Sequence, residues 1–375
     1  MNWKNKAFIL KPDPLSFMKM TPSEYRYFFL ALIIISVAFQ GCNNQNEKSA
    51  DKPITIQNFE IDTLKVFTSF ETHDIAQPSD VKILKNGHIA IADYGQQTIS
   101  ILKKDGSLIH SFGRQGRGPG EFLNIRDILT IGEHISVYDS HQNRLVVFNY
   151  SGELLRSESF SSASMNKETT LINDSLYVIG IEGVSGSLLQ VQNFKSDSVF
   201  NFGTPKAEKE QGLDLKKSKR QLKAGKVPNF FKNKVILNSD GTHIYAFFEA
   251  LSELQKYDLH GNLLWSRMID LPNNKQIFED IVESAKENTN ARSIPVLNYI
   301  ADFLIIEDNM FILTARPSGG SQYIVKLNKQ GEIVAEYSMP ENATYGYDID
   351  INPEDNTAYF TSWSAGIVYK GILPE

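Results

Sequence analysis

Two stretches of this chain repeat one another in the same register, 46 residues apart. The first copy comprises residues 86–93 and 99–102, and the second comprises residues 132–139 and 145–148. Within each copy, apolar and polar residues alternate over short runs, as half-buried β-strands require. The chain therefore repeats one small antiparallel unit, and this repeat constrains the fold more than any other feature.

A self-similar period of roughly 40–50 residues built from short strands predicts the blades of a β-propeller. Six units start near residues 73, 125, 169, 235, 303 and 347. The sixth unit lacks a fourth strand, and the strands within residues 54–67 have no unit of their own. Pairing this N-terminal segment with the last blade would close the ring and remove two exposed edges. The prediction is an all-β, six-bladed β-propeller over residues 54–375.

Two insertions interrupt the period. Residues 204–230 carry eight basic and three acidic residues, and such a segment either contacts anionic lipid or glycan or forms a solvated loop. Residues 276–288 place apolar side chains on one helical face, so one short amphipathic helix is expected there.

The N-terminus has the pattern of a secretory signal. Lys19 and Arg26 precede an apolar run at 28–39, which ends at Gly41-Cys42 before a polar stretch. The run is shorter than the ~20 residues that span a bilayer, although an uncleaved anchor is the alternative. Cys42, the only cysteine, resembles the lipidated cysteine of a bacterial lipobox. We therefore expect a signal peptide at 1–41, a lipidated Cys42 with a tether at 42–53, and a lipid-anchored envelope location, at the outer membrane or facing the periplasm.

Charge restricts the class of partner. The whole chain has a formal net charge of −6, and residues 1–41 hold five basic and two acidic residues, so the remainder carries −9. Nucleic-acid binding needs a basic surface, and we therefore expect no nucleic-acid partner. The expected partner is the membrane, which the chain would reach through a lipidated Cys42.

The string at residues 112–122, FGRQGRGPGEF, resembles the segment that links blades in NHL-type propellers. With the strand and turn pattern around it, the chain is similar to the six-bladed β-propeller lipoproteins of bacteria (NHL-repeat-like or TolB-like). The resemblance implies a fold and an envelope location rather than an activity, because propellers host many functions.

Five side chains are candidates for ligand binding on one face of the ring. Within the string, Arg114 and Arg117 would either point to the channel mouth or bridge neighbouring blades. In corresponding loops of other blades, His141, Arg316 and Trp363 would face the same side. As a set they could bind a sugar or a peptide, with Trp363 as a stacking platform.

Four innermost strands begin with an aspartate at the same place, and these residues are Asp80, Asp127, Asp302 and Asp348. Converging carboxylates can hold a hard cation such as Ca²⁺, and they also repel one another and invite a counter-charge. The alternative is that each accepts hydrogen bonds from backbone amides in the incoming turn. Asp93 and Asp139 follow the second strands of blades one and two, where we interpret them as turn formers.

The sequence contains no Gly-x-Ser-x-Gly, His-Glu-x-x-His or Walker motif. The leading hypothesis is therefore a binding module for a glycan, a peptide or another envelope protein. The alternative is a calcium-dependent hydrolase or lactonase that uses the channel-mouth carboxylates, and calcium is the only cofactor that the pattern suggests.

Overall fold

The computed structural model describes residues 54–160, 168–210, 212–287, 293–340 and 343–375, without the Arg126 side chain. The predicted signal peptide, Cys42 and the tether lie outside these residues. In the part of the chain that is described, no helix is long and apolar enough to cross a membrane.

In the described residues, six sheets form the ring, and four of them consist of four consecutive antiparallel strands. Blade one contains β3 (Pro78–Ile83), β4 (Ile89–Asp93), β5 (Thr98–Leu102) and β6 (Leu108–Phe112); blade two contains β7 (Ile125–Ile131), β8 (His134–Asp139), β9 (Arg144–Asn149) and β10 (Leu154–Ser159); blade three contains β11 (Thr169–Asn173), β12 (Leu176–Gly180), β13 (Leu189–Asn193) and β14 (Ser198–Phe202). Blade four contains β15 (Val235–Ser239), β16 (His243–Phe248), β17 (Glu253–Asp258) and β18 (Leu263–Met268); blade five contains β19 (Ile300–Ile306), β20 (Asn309–Thr314), β21 (Tyr323–Asn328) and β22 (Ile333–Ser338).

Blade six closes the ring as predicted. It contains β23 (Asp348–Ile351), β24 (Thr357–Ser362) and β25 (Ile367–Ile372), and β2 (Lys65–Ser69) supplies its outer strand by antiparallel pairing with β25. The N-terminal segment does more than the sequence suggested, because β1 (Gln57–Glu60) pairs in parallel with β22 and adds a fifth strand to blade five. The segment therefore joins two blades.

The core is divided among the boundaries between blades. In the described residues, six buried apolar clusters are found, and each combines side chains from two neighbouring blades. The strand faces that build them are apolar and β-branched, which suits strands packed on both faces. The innermost strands β3, β7, β11, β15, β19 and β23 contact one another in a closed cycle and line the axial channel.

Among the described residues, the α-helices lie in crossovers between blades, and a short 3-10 helix (Val184–Gly186) lies in a loop within blade three. A one-turn helix α1 (Phe70–His73) precedes β3, and α3 (Asn274–Glu287) confirms the predicted amphipathic helix. The lysine-rich insertion also contains a helix, α2 (Leu215–Lys223), capped by Asp214, whose side chain accepts a hydrogen bond from Lys217 N. The sequence analysis expected a single helix; α2 was missed because its many cations obscured a regular spacing. α2 packs against α3.

Candidate functional site

The loops that join the second and third strands of each blade form one end of the ring, which we call the loop face. These loops are residues 94–97, 140–143, 181–188, 249–252, 315–322 and 363–366. The crossovers from outer to inner strands reach the same end, because every blade has the same antiparallel order. All five predicted binding residues therefore belong to this face.

Asp93 and Asp139 are turn formers, as interpreted from the sequence. The Asp93 carboxylate accepts hydrogen bonds from Gly95 N (2.8 Å) in its own turn and from Ala76 N (2.7 Å) in the preceding crossover. Asp139 accepts from Leu123 N (2.8 Å) in the same way. Both carboxylates are buried and hold the loop face to the crossovers, so neither is available to a ligand.

The glycine-rich string folds back on itself as a compact crossover. Arg114 Nε donates to Glu121 Oε1 (2.7 Å), and Glu121 Oε2 accepts from Gly118 N (2.7 Å). These two bonds lower the pKa of Glu121, with the backbone bond from Gly118 contributing most. Gly116 is required because a Cβ there would lie 2.1 Å from Glu121 Oε2. Arg114 thus has a partner inside its own loop.

Arg316 also has a structural partner. Its Nε donates to Gly320 O (2.8 Å), and its guanidinium donates to Ala343 O (2.9 Å) in the crossover that leads to blade six. The guanidinium remains exposed on its other side, so it can still contact a ligand. Its main described role is to join two blades, which is the bridging role that the sequence analysis weighed for Arg114 and Arg117.

Arg117 and His141 are the open polar groups of the predicted set. Both side chains are exposed, and neither has a side-chain hydrogen bond to any residue described here. Arg117 lies in the crossover from blade one to blade two, and His141 lies in the loop between β8 and β9 of blade two. Of the five predicted residues, these two have the freest polar atoms.

Trp363 lies in an aromatic cluster that the sequence did not reveal. Its ring contacts Tyr94 edge-to-face (centroids 5.9 Å apart, 72°) and Tyr347 at 6.4 Å. Tyr94 comes from blade one, whereas Trp363 and Tyr347 come from blade six, so the cluster crosses the boundary where the ring closes. The tryptophan remains 36% exposed and offers the apolar surface expected of a stacking platform.

Three of the four channel aspartates link neighbouring blades. Asp302 accepts a hydrogen bond from Ile349 N (3.2 Å), Asp348 accepts from Val81 N (3.2 Å), and Asp80 accepts from Ile128 N. Each bond runs from one blade to the inner strand of the next blade. The alternative considered from the sequence, a bond to backbone amides, is therefore correct in kind, but the amides belong to the next blade rather than to the incoming turn.

Lys82 supplies the counter-charge for this ring, and the sequence analysis did not name it. Its Nζ lies 2.7 Å from Asp80 Oδ1 and 3.4 Å from Asp348 Oδ1. The signal was present in the sequence, because Lys82 follows Asp80 by two residues and so shares its strand face. Asp350 stands in the same relation to Asp348 and accepts from Ile83 N (2.7 Å).

Burial and charge act in opposition in the channel. Burial disfavours the charged Lys82, but the carboxylates around it outweigh that effect and hold its pKa well above the usual value. Burial raises the pKa of Asp80 despite the attraction of Lys82. It also raises the pKa of Asp350 to about 6, against the opposing effects of Lys82 and two backbone bonds. Among the described side chains, the channel therefore holds a firmly charged ammonium, that of Lys82, and carboxyl groups whose pKa values are raised by burial, those of Asp80 and Asp350.

The donor arrangement fits an ammonium group better than the predicted calcium ion. Ca²⁺ needs six to eight oxygen ligands at about 2.3–2.6 Å. In the part of the chain that the structure covers, no three acidic, histidine or cysteine side chains converge closely enough to hold a metal. Asp80 and Asp348 instead converge on Lys82. Calcium binding by the four aspartates remains a prediction from the sequence.

Comparisons with known proteins agree with the fold. A family model described as "DUF5128: 6-bladed beta-propeller" matches residues 57–232. The chain is similar to a solved Bacteroides fragilis protein described as a "Putative exported protein", with 12% identity, a TM-score of 0.52, and 86% of this chain and 100% of that one covered. It is also similar to a member of the duf4221 family from Bacteroides vulgatus, with 10% identity, a TM-score of 0.50, and coverages of 84% and 94%. No curated protein matches the sequence.

Proposed function

We propose that this chain is a lipid-anchored propeller of the cell envelope that binds a ligand or a partner protein on its loop face and performs no chemistry. The observation that carries the proposal is the exposed Trp363 within its cluster of tyrosines, on the same loop face as the open polar groups Arg117 and His141. Exposed aromatic surface flanked by polar groups is a common arrangement in recognition sites. Three of the channel carboxylates already have protein partners: Asp302 and Asp348 accept backbone amides, and Asp80 pairs with Lys82.

Support for the envelope location comes from the sequence and from similarity. The apolar run at 28–39 followed by Cys42 has the order of a lipoprotein signal, and one similar solved protein is described as exported. We expect the Cys42→Ser variant to lose incorporation of labelled palmitate in bacteria, because the acyl acceptor is the new N-terminal cysteine. Labelling of the variant at the level of the parent protein would contradict the lipid anchor.

Ligand binding is tested with glycan and peptide libraries on the purified protein. Trp363→Ala is expected to raise the dissociation constant of a ligand bound on the loop face by about tenfold, because the substitution removes the stacking surface. His141→Ala should weaken it less. His260→Ala is the matched control, since His260 is an exposed histidine in a hairpin at the opposite end of the ring. Binding that survives Trp363→Ala unchanged would place the ligand elsewhere.

A further inference from the structure

The axial channel contains a cavity with a strong charge imbalance. Its volume is about 250 Å³. Among the described side chains, its wall includes one ammonium, that of Lys82, and five carboxylates, those of Asp80, Asp127, Asp302, Asp348 and Asp350. A cavity lined by one sign of charge between low-dielectric walls concentrates the field and attracts the opposite charge. A cation would be stabilised there.

A buried hydroxyl in the same wall lacks a partner. Thr169 is 4% exposed, and its Oγ1 forms no hydrogen bond with any described residue. Thr169 stands in blade three at the register position that Asp80 and Asp127 occupy in blades one and two. A buried polar atom without a partner costs free energy, so this hydroxyl is available as an acceptor for a ligand in the cavity.

The character of the wall selects an ammonium compound over a metal ion. Lys82 shows that two carboxylates of this wall, Asp80 and Asp348, are spaced for an ammonium, with contacts of 2.7 and 3.4 Å. Between the polar groups, the wall carries apolar side chains, among them Leu129, Leu171 and Ile236. Apolar walls with a few convergent acceptors suit a short hydrocarbon stem that ends in a charged group.

We propose that the channel cavity binds a small primary ammonium compound, such as a short aliphatic amine or diamine, through Asp127, Asp302 and the Thr169 hydroxyl. This site lies along the channel axis rather than on the loop face. The inference therefore does not depend on the proposed function and stands if the loop face binds nothing.

The experiment uses 1,4-diaminobutane and titration calorimetry on the purified propeller with its natural N-terminal strands. We expect saturable binding with one compound per chain. Asp127→Asn and Asp302→Asn should each raise the dissociation constant at least about tenfold, because each removes a charge while the amide oxygen can still accept a backbone hydrogen bond. Two variants in different blades keep the test valid if one fails to fold, as judged by its thermal transition.

Three controls make the outcome decisive. Asp308→Asn removes an exposed carboxylate outside the channel, whose side chain is 82% accessible, and should leave binding unchanged. The uncharged 1,4-butanediol should not bind. The proposal is overturned if the diamine fails to bind the folded protein at up to about 10 mM, if Asp308→Asn weakens it as much as the channel variants do, or if stoichiometric Ca²⁺ displaces it.

Discussion

Replacing Lys82 by methionine is expected to lower the free energy of unfolding at pH 7 by about 3–5 kcal/mol. Methionine fills a similar volume but leaves the channel carboxylates without their buried cation, and removing one partner of a buried ion pair has effects of this size. Chemical denaturation followed by circular dichroism measures the change. Lys85→Met is the matched control, because Lys85 is an exposed lysine next to the same strand and should change stability by less than about 0.5 kcal/mol.

The loss of stability in the Lys82→Met variant should depend on pH in a defined direction. In the parent protein, the pKa of Asp350 rises from 3.8 to about 6 on folding, so its contribution to stability is greatest below pH 3.8 and is lost as the pH rises through 6. Lys82 lowers the pKa values of Asp80 and Asp350. Without it, both carboxyls take up protons at higher pH, and the deficit of the Lys82→Met variant should shrink as the pH falls from 8 to 5. A deficit that is constant over this range would show that lost packing, not lost charge, is responsible.

Removing the closing strand is expected to abolish cooperative folding. A chain of residues 70–375 lacks β2, which leaves the edge of β25 open and removes Phe67, whose ring packs edge-to-face on Tyr359 at 4.9 Å. Exposed edges of this kind also promote aggregation. Thermal unfolding followed by circular dichroism, together with size-exclusion chromatography, should show no single sharp transition and a broad range of aggregate sizes.

A graded truncation separates closure from simple shortening. Residues 63–375 keep β2 and lose β1, which is mostly exposed and contributes a Phe59–Tyr337 stack at 5.1 Å, together with the buried Ile61. This chain should still unfold cooperatively, with a loss of about 1–3 kcal/mol relative to residues 54–375. If residues 70–375 unfold as sharply as residues 63–375, ring closure by β2 does not hold the fold together.

Local patterns made the blades predictable from the sequence. Strand alternation, glycine turns and the position of Asp93 depend on neighbours a few residues away, and these features repeat with the blade. The role of Asp93 as a turn former was predictable because it also depends on residues close to it in the sequence. Ring closure was also predictable from the sequence. The last blade lacks a strand and the N-terminal segment has strands without a blade, so pairing the two leaves the fewest exposed edges.

Contacts between blades were harder to foresee. The partner of Asp348 is Val81 N, 267 residues away, and no local pattern marks that distance. The fifth strand on blade five depends on the parallel pairing of β1 with β22, which alternation alone does not specify. The tyrosines around Trp363 come from segments far apart in the chain, so the aromatic cluster became visible only in three dimensions.

The uneven distribution of the interblade aspartates has a mechanical consequence. Blades one, two, five and six carry the carboxylate at the start of the inner strand, whereas blades three and four carry Thr169 and Ile236 there. Because each of these bonds runs from one blade to the next, the carboxylate link is missing among the described residues at both boundaries of blade four. Helices α2 and α3 arise from the crossovers on either side of blade four and pack together. They therefore connect the two sides of blade four from outside the ring, where the inner strands lack the carboxylate links.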